Sequence, residues 1–452
     1  MSDLVDNTDV VVVGGNVAGT SIATGLAKRG VNVVVVDRLE VFEIGRYTCG
    51  DGLEKYQFQR LGLELPKGPF VIRKVHSGQF VSPDLSEYIT VYAEALGIDR
   101  FKFNQWLISQ ACSHDVVYID QTCAEAPVLE NDRCVGLRVF DKRKKEHYRI
   151  NATVTVDASG FNGALRRKLP QHWPVSEPIE GIDTGLCYRE VRQLEKPLEH
   201  DVLMACFSRT IAPGGIYWLG SRDERKVNVG IGVRGVPEHP NPRRQLHEQV
   251  IPRHPFLKGS KILHKGGGIV PVRRPLDSMV ASGFLTIGDA ACQTNPISGS
   301  GIGTSMFAGQ LGAKVIANAL ETGETDLKTL WTYNIKYNHQ YGWFQAGNQC
   351  LRSALQSMSD EELNILFRTH IIDSSLLLTA LKTGEVTLDF SAKLSILSRL
   401  GSHPRLIRKL NKIKKQMNRA RELYKNYPKT PEGFDAWRKK QDQLLQQLPH
   451  SS

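Results

Sequence analysis

The sequence has no long apolar segment and no cysteine pattern typical of a metal or disulfide protein. No run reaches the ~20 apolar residues that a membrane-spanning helix needs, and no secretory signal pattern precedes the first predicted strand. The eight cysteines form neither a C-x-x-C pair nor a cluster with metal-ligand spacing. We therefore expect a cytoplasmic protein with reduced thiols and no metal site.

Histidine-based catalytic signatures and nucleic-acid signatures are also missing. The 13 histidines are scattered, without triad or metal-ligand spacing. No internal repeat occurs, and no nucleic-acid-binding module accompanies the net charge of +11. The chain does have length: 452 residues, 41% of them hydrophobic, can bury a large core. We expect two or three subdomains.

The N-terminal segment predicts a dinucleotide-binding unit. Residues 9–38 read as a buried valine strand, a glycine turn, a helix and a second strand that ends at Asp37. Gly14 permits the tight turn, Gly19 permits close helix packing, and Asp37 would bind ribose hydroxyls. Asn16 stands where the second glycine of the usual G-x-G-x-x-G motif would be, so its side chain is expected to displace or hydrogen-bond the phosphates.

Residues 283–304, GFLTIGDAACQTNPISGSGIGT, predict a second part of the same site. An apolar strand ends at Gly288 and Asp289, and a glycine-spaced turn follows. A carboxylate in this place can bind ribityl or ribose hydroxyls, while the turn and a helix N-terminus offer N–H groups to a flavin. The two segments together indicate a discontinuous FAD-binding domain.

A third segment, which begins at Val154 and reads VTVDASGFNGALRRKL, agrees with this interpretation. It predicts a strand that ends at Asp157, followed by a helix that carries Arg166 and Arg167. The FAD domain would then be built from three separate stretches of the chain.

Further motifs follow in a characteristic order. They are TCGDGL (48–53), DRFKFNQWL (99–107), APGGIYWLG (212–220), PVRRPLDS (271–278) and GDAACQTNPISGSGI (288–302). Over about residues 9–310, this order resembles the geranylgeranyl reductase family, and most of all its archaeal lipid-saturating branch. The resemblance implies an FAD enzyme of the para-hydroxybenzoate hydroxylase fold type that hydrogenates C=C double bonds of a geranylgeranyl or polyprenyl lipid.

Carried over position by position, the resemblance also implies which residues contact FAD. They are Ala18, Asp37, Cys49, Gly50, Gly52, Arg100, Asp289, Gly301 and Ile302, with Cys123 as a further candidate. In the family, the loop that corresponds to TCGDGL (48–53) brings its cysteine near the flavin. The resemblance therefore makes Cys49 and Asp51 the candidate catalytic residues. Each would supply a proton, although Cys49 could instead shape the face of the ring or be a buried, inert thiol.

The substrate strand departs from the family pattern. The family usually has Tyr-x-Trp-x-Phe-Pro, whereas residues 216–221 read IYWLGS and keep only Trp218 in register. Tyr217 and Trp218 are candidates for lining an apolar substrate tunnel, and the alternative is that both are ordinary core aromatics. A reshaped pocket is expected.

The predicted fold class is α/β: a discontinuous Rossmann-like FAD-binding domain with an inserted antiparallel-sheet substrate domain and a C-terminal helical region. The expected boundaries are 1–65, 96–172 and 270–325 for the FAD-binding domain, 66–95 and 173–269 for the substrate sheet, and 326–452 for a helical cap.

The predicted cap contains a strongly basic amphipathic helix. Residues 405–425 hold nine Lys or Arg residues against a single acid, Glu422. Apolar residues recur on the other face at helical spacing: Leu406, Leu410, Ile413, Met417 and Tyr424. Such a helix would lie peripherally on an anionic membrane surface at the inner face of the membrane; alternatively it packs one face on the enzyme.

The sequence contains a single dinucleotide fingerprint, so no separate nicotinamide-binding domain is expected. Electrons would arrive by transient docking of NAD(P)H or from a small acidic redox protein such as ferredoxin. Reduced FAD would then deliver hydride to an alkene carbon while an acid supplies the proton. An FAD-dependent monooxygenase and a non-catalytic prenyl-lipid carrier on the same fold remain alternatives, and which isoprenoid is reduced stays open.

Overall fold

The computed structural model describes residues 7–46, 50–371, 373–383 and 403–449. The strands, in chain order, are β1 Asn7–Val13, β2 Val33–Val36, β3 Gly52–Glu54, β4 Val71–Val75, β5 Gly78–Val81, β6 Tyr88–Val91, β7 Ala95–Ile98, β8 Val117–Ile119, β9 Thr122–Glu130, β10 Arg133–Asp141, β11 Glu146–Asp157, β12 Thr184–Gln193, β13 Leu203–Cys206, β14 Ile216–Asp223, β15 Lys226–Arg234, β16 Lys261–Pro271, β17 Val280–Ala281 and β18 Phe284–Thr286.

The helices flank these strands and then dominate the C-terminal third of the described chain. They are α1 Val17–Ala27, α2 Lys55–Arg60, α3 Arg100–Cys112, α4 Pro242–Gln245, α5 Ile302–Glu321, α6 Leu327–Tyr337, α7 Trp343–Gln356, α8 Asp360–Arg368, α9 Ser374–Thr383, α10 Pro404–Lys425 and α11 Phe434–Gln446. Within the described ranges, no helix is long and apolar enough to cross a membrane.

The first sheet has the strand order β17-β18-β11-β1-β2-β8, and β10 and β9 extend it beside β11. The central strands β11, β1, β2 and β8 run parallel. The valines of β1 and β2 are at most 5% exposed, because one hydrophobic cluster covers each face of the sheet. This burial on both faces explains why the strands are continuous valine runs rather than alternating patterns.

The second sheet has the order β16-β12-β15-β14-β13-β5-β6 and is antiparallel except where β13 pairs with β5. One face packs on Leu246 and Val250, which follow α4, and the alternate residues of β14 and β15 supply its core. A small third sheet has the order β3-β7-β4, and β5 and β6 of the second sheet fall between its strands β4 and β7 in the chain. The predicted class, an α/β FAD fold with an antiparallel sheet and C-terminal helices, is confirmed.

The predicted helix after Asp157 was wrong. The segment forms two single-turn 3-10 helices, Gly160–Asn162 and Arg166–Lys168. The Asp157 carboxylate accepts hydrogen bonds from the backbone N–H groups of Ser159, Leu165 and Arg166 at 2.8–3.0 Å. These bonds fold the chain back on the strand end, so a continuous helix cannot begin there.

A buried ion network ties the C-terminal helices to the first sheet. Glu177 Oε1 accepts from Arg273 at 2.6 Å and from Arg274 at 3.2 Å. Arg274 also pairs with Asp277, whose carboxylate accepts from Gln441 on α11. Burial alone would raise the pKa of Glu177, but the two guanidinium groups outweigh it and hold that pKa at about 2.

Glu177→Gln should destabilise the fold by about 3–5 kcal/mol, because it leaves buried guanidinium charge uncompensated. Glu130→Gln, which breaks an exposed pair with Arg149, is the control and should cost at most about 1 kcal/mol.

The stability that Glu177 contributes should also depend on pH. Its folded-state pKa is depressed, so its contribution to the free energy of unfolding is complete above the unfolded pKa of about 4.3 and is lost as pH falls through about 2. Urea unfolding at several pH values measures both effects; equal costs for the two variants would contradict the assignment.

Candidate functional site

A cavity of 1190 Å³ runs between the first sheet, the second sheet and the C-terminal helices. At one end it is lined by the carboxyl ends of the parallel strands and the glycine turns. At the other end it is lined by apolar side chains of the second sheet and of α7 to α9. The carboxyl edge of a parallel sheet is where ligands of open α/β folds bind.

The glycine turn after β1 brings the backbone close to the neighbouring strand. Gly14 has φ +99°, and a Cβ there would lie 2.5 Å from the carbonyl oxygen of Ala158. A Cβ at Gly19 would lie 1.8 Å from the carbonyl oxygen of Gly14. Gly14 lines the cavity, whereas Gly19 serves helix packing and does not line it. No larger residue fits either position.

Asp37, at the end of β2, holds this turn in place. Its carboxylate accepts from the N–H of Gly15 at 2.7 Å and of Leu39 at 2.9 Å. Burial raises its pKa, and the two N–H donors oppose that rise. Asp37 also lines the cavity, so its remaining lone pairs can accept from ribose hydroxyls.

Asn16 has a structural role that the motif does not reveal. It is the N-cap of α1, and its Oδ1 accepts from the N–H of Val17 at 2.8 Å. The same oxygen accepts from Asn104 Nδ2 on α3 at 2.6 Å. The amide therefore joins two helices at the place where the usual motif has glycine.

The second glycine turn places Asp289 at the cavity wall. Among the described residues, no side-chain hydrogen bond satisfies its carboxyl group, and burial raises its pKa to about 6 against the opposing charge of Arg100. Gly301 lies beside it, since a Cβ there would be 3.4 Å from Asp289 Oδ1. α5 begins at Ile302, so its free N–H groups face the same space. A buried carboxyl group beside a helix N-terminus fits the hydroxyl and electron-rich groups of FAD.

The described part of the TCGDGL motif, residues 50–53, lies beside Arg100. Arg100 Nη1 donates to the carbonyl oxygen of Gly50 at 3.0 Å, and Gly50 and Gly52 line the cavity. The carboxylate of Asp51 pairs with Arg222 of β14 at 2.7 Å. Cys49 lies outside the described residues, so its contact with FAD and its catalytic role stay predictions.

The remaining candidates from the FAD-binding segments lie in the same cavity. Ala18 of α1 lines it, and a Cβ at Gly288 would be 2.8 Å from the Ala18 Cβ. Cys123 lies on β9 beside the strand end that carries Asp37 and also lines the cavity. The fold thus brings the described FAD-contact candidates, which are far apart in the sequence, to one wall of the cavity.

The two aromatic candidates of β14 point to opposite faces of the second sheet, as alternation along a strand requires. Trp218 lines the cavity, and Gly230 on β15 makes room for its indole, since a Cβ there would lie 2.2 Å from Trp218 Cζ2. Tyr217 is fully buried on the other face, with its ring 5.9 Å from that of His254. Tyr217 therefore does not line the cavity.

The far end of the cavity was not predicted from the sequence. Phe80 of β5 stacks on Phe207 with ring centroids 6.4 Å apart, and both line an apolar tunnel. Apolar residues of the C-terminal helices complete it: Leu351, Leu355, Leu363, Leu366, Phe367 and Leu381. These helices lie beyond the family motifs, so only their amphipathic spacing could have suggested them.

Two other expectations concern metals and thiols. In the part of the chain that the structure describes, no group of three or more His, Cys, Asp or Glu side chains is arranged to hold a metal ion. The described cysteines are all free thiols.

Comparison with known proteins identifies the class. Residues 7–339 match the sequence family described as FAD binding domain. The digeranylgeranylglycerophospholipid reductase of Sulfolobus acidocaldarius is 34% identical over 445 residues, which are 98% of each chain. A reductase of the same name from Methanopyrus kandleri is 25% identical over 364 residues, 79% of this chain and 89% of that relative.

Solved structures share the fold. A geranylgeranyl bacteriochlorophyll reductase-like protein from Thermoplasma acidophilum superposes with a TM-score of 0.75 at 21% identity, over 90% of this chain and 99% of that one. A triple mutant of the flavin-dependent brominase Bmp2 gives 0.64 at 16% identity, over 88% and 100% of the two chains. Fold and site together define an FAD-dependent oxidoreductase. The chain belongs to the family of archaeal digeranylgeranylglycerophospholipid reductases.

Asp289→Ala should strip FAD from the protein. A charge-assisted hydrogen bond contributes about 1.5–3 kcal/mol, so its loss should weaken FAD affinity roughly ten- to a hundredfold. Titration of flavin-free protein with FAD, followed by flavin fluorescence, measures the change. The control is Asp442→Ala on the exposed face of α11. Unchanged affinity in the Asp289 variant would remove this residue from the site.

Proposed function

We propose that this protein hydrogenates C=C double bonds in the geranylgeranyl chains of an archaeal digeranylgeranylglycerophospholipid. The observation that carries the proposal is the single cavity, in which the FAD-binding wall opens directly into an apolar tunnel under α7 to α9. A long polyene can lie along this tunnel with one double bond at the flavin end. The relative that matches 98% of both chains carries this activity in its name.

FAD, when bound and reduced, supplies a hydride to one alkene carbon. The chain's own residues hold the cofactor and align the lipid. In our assignment, the turn from Gly14 and the N-terminus of α1 bind the pyrophosphate, and Asp37 binds the adenosine ribose. Asp289, Gly301 and Ile302 bind the ribityl chain and the flavin edge.

The TCGDGL motif (48–53) and two residues outside it supply further contacts. Gly50, Gly52 and Arg100 contact FAD in this proposal, Cys123 contacts its nucleotide half, and Cys49 lies beside the flavin. The ion pair of Asp51 with Arg222 at 2.7 Å supports a positioning role for Asp51, since it fixes the loop to the substrate sheet. Trp218 lines the path of the lipid.

The proposed domain organisation follows the same division. The three stretches 1–65, 96–172 and 270–325 form the FAD-binding domain, 66–95 and 173–269 form the substrate sheet, and 326–452 form the cap. The cavity borders all three parts, which supports a shared site. NAD(P)H or a small acidic redox protein would supply electrons.

Hydrogenation should appear as mass steps of two hydrogens. Purified, FAD-loaded protein is incubated without oxygen with dithionite and a digeranylgeranylglycerol phosphate, and the lipid is analysed by mass spectrometry. Leu366→Trp, which fills the tunnel, should lower kcat/KM for this lipid by about tenfold or more and spare a short geranyl analogue. The control is Leu129→Trp on an exposed strand position. In a parallel incubation in air with NAD(P)H in place of dithionite, products that gain oxygen, with O₂ consumed, would favour a monooxygenase instead.

We also propose that this protein is cytoplasmic and that α10 binds it to the inner, anionic surface of the membrane. Its apolar face is already covered, because Leu406, Ile413 and Tyr424 pack into the hydrophobic clusters of the enzyme. The basic face is exposed at Arg405, Arg408, Lys412, Lys414, Lys415, Arg419 and Lys425. Binding would therefore be electrostatic, without insertion of the helix.

Replacing Lys412, Lys414 and Lys415 by Gln should weaken binding to anionic vesicles by about 1 kcal/mol per residue. Lys409 is left intact because it already pairs with Glu362 at 2.8 Å. Cosedimentation at low and high salt measures the effect, since salt screens the attraction.

The charge-matched control replaces the exposed lysines Lys144, Lys196 and Lys258 by Gln. If both triple variants cosediment as the parent does, α10 is a solvated part of the cap and the membrane role is lost.

A further inference from the structure

Hydrogenation of an alkene needs a proton as well as a hydride, and the cavity wall narrows the choice of donor. Five carboxyl groups of the described residues line the cavity: Asp37, Asp51, Glu54, Glu94 and Asp289. An acid that delivers a proton must face the substrate space and must be protonated before the reaction. The partners of each carboxyl group decide which of them meets both conditions.

Three of these groups are engaged elsewhere. Asp37 accepts from two backbone N–H groups of the glycine turn and its flank. Asp51 pairs with Arg222. Glu94 pairs with Lys55, and this hydrogen bond lowers its pKa. Each of these contacts occupies oxygens of the carboxyl group in a structural role.

Asp289 is already assigned to the cofactor, so Glu54 remains. It ends β3, three residues after Asp51, and lines the same cavity. Ser300 Oγ lies 3.2 Å from both Glu54 carboxyl oxygens. Ser300 belongs to the glycine turn in which Gly301 is assigned to FAD. Glu54 is thus held at the boundary between the flavin turn and the apolar part of the cavity.

The surroundings of Glu54 favour its neutral form. Within the described ranges, no lysine or arginine forms an ion pair with it. Burial raises its pKa, and the hydrogen bonds from its own backbone N–H and from Ser300 oppose the rise without cancelling it. Of the titratable groups around it, Tyr56 lines the cavity, and burial together with the charge of Glu54 raises the pKa of both Tyr56 and Tyr341. The charge of Arg60 opposes both of these rises.

We propose that Glu54 is the catalytic acid that protonates the alkene, an inference that rests on the proposed hydrogenase function. The π electrons of the double bond form a C–H bond with the Glu54 proton as its O–H bond breaks, and the hydride from reduced FAD forms the other C–H bond. The two electrons of the hydride come from the external donor, which reduces FAD again after each turnover. Solvent returns a proton to the Glu54 carboxylate. Ser300 is a positioning residue that orients the carboxyl group toward the substrate.

The test compares Glu54→Gln, Glu54→Asp and the control Glu94→Gln, all loaded with FAD. Loss of a positioned proton donor should slow reoxidation of reduced flavin by the lipid about 10²- to 10⁴-fold in Glu54→Gln. FAD affinity and the rate of flavin reduction by dithionite should stay near parental. Glu54→Asp should recover part of the rate, and Glu94→Gln should behave like the parent.

Two further measurements separate acid catalysis from a structural role. In flavin-free protein, the infrared band of protonated carboxylic acids should titrate with one group fewer in Glu54→Gln than in the parent, while the contribution of Asp289 should be the same in both. The parental rate should fall as pH rises through the Glu54 pKa, because the carboxylate cannot donate, and the residual rate of Glu54→Gln should lack this step.

The outcomes are distinguishable. A parent that does not hydrogenate the lipid refutes the proposed function itself. A parent that does so, with a Glu54→Gln variant that is equally fast or has the same pH profile, refutes the role of Glu54 alone. If Cys49→Ala abolishes that pH step while Glu54→Gln preserves it, the thiol is the proton donor.

Discussion

The cavity depends on the burial of two arginines. Arg273 and Arg274 lie in the core with Glu177 between them, and Asp277 extends the network to Gln441 of α11. An uncompensated charge at such depth costs several kcal/mol, so the flavin-binding wall and the C-terminal helices have to stay together. Helix α7, which lines the tunnel, is held to the same segment, because Gln345 donates to the carbonyl oxygen of Arg273 and Gln349 accepts from the N–H of Arg274, both at 2.9 Å.

The cavity joins two environments that suit two kinds of chemistry. At the strand ends, backbone N–H groups and carboxylates face a polar cofactor. Under the helices, aromatic and aliphatic side chains exclude water from a polyene. Glu54 lies where these environments meet, which is the place where a carbon atom has to receive a proton. The low polarity that protects the lipid also raises the pKa of the acid.

Part of the fold was predictable because it depends on residues that are neighbours in the sequence. Strand, turn and helix after residue 9 follow from valine runs and from glycines that no larger residue can replace. The helix expected after Asp157 failed because that carboxylate binds N–H groups up to nine residues away. Which of Tyr217 and Trp218 faces the cavity depends on how β14 packs in its sheet. The position of the Glu54 carboxyl group depends on Ser300, 246 residues further along the chain. Tertiary contacts of this kind leave no mark on the nearby sequence.

Helix α10 has two sides with different neighbours. Its outward side carries the exposed basic residues, while Met417 and Arg421 of the same helix line the cavity. A bilayer held against the basic side would be separated from the tunnel by a single helix, about 10 Å across. A lipid tail that enters beside α10 would then pass from the hydrocarbon of the bilayer to the protein interior with little exposure to water. The enzyme would take its lipid directly from the membrane and would not need to bind lipid dissolved in water.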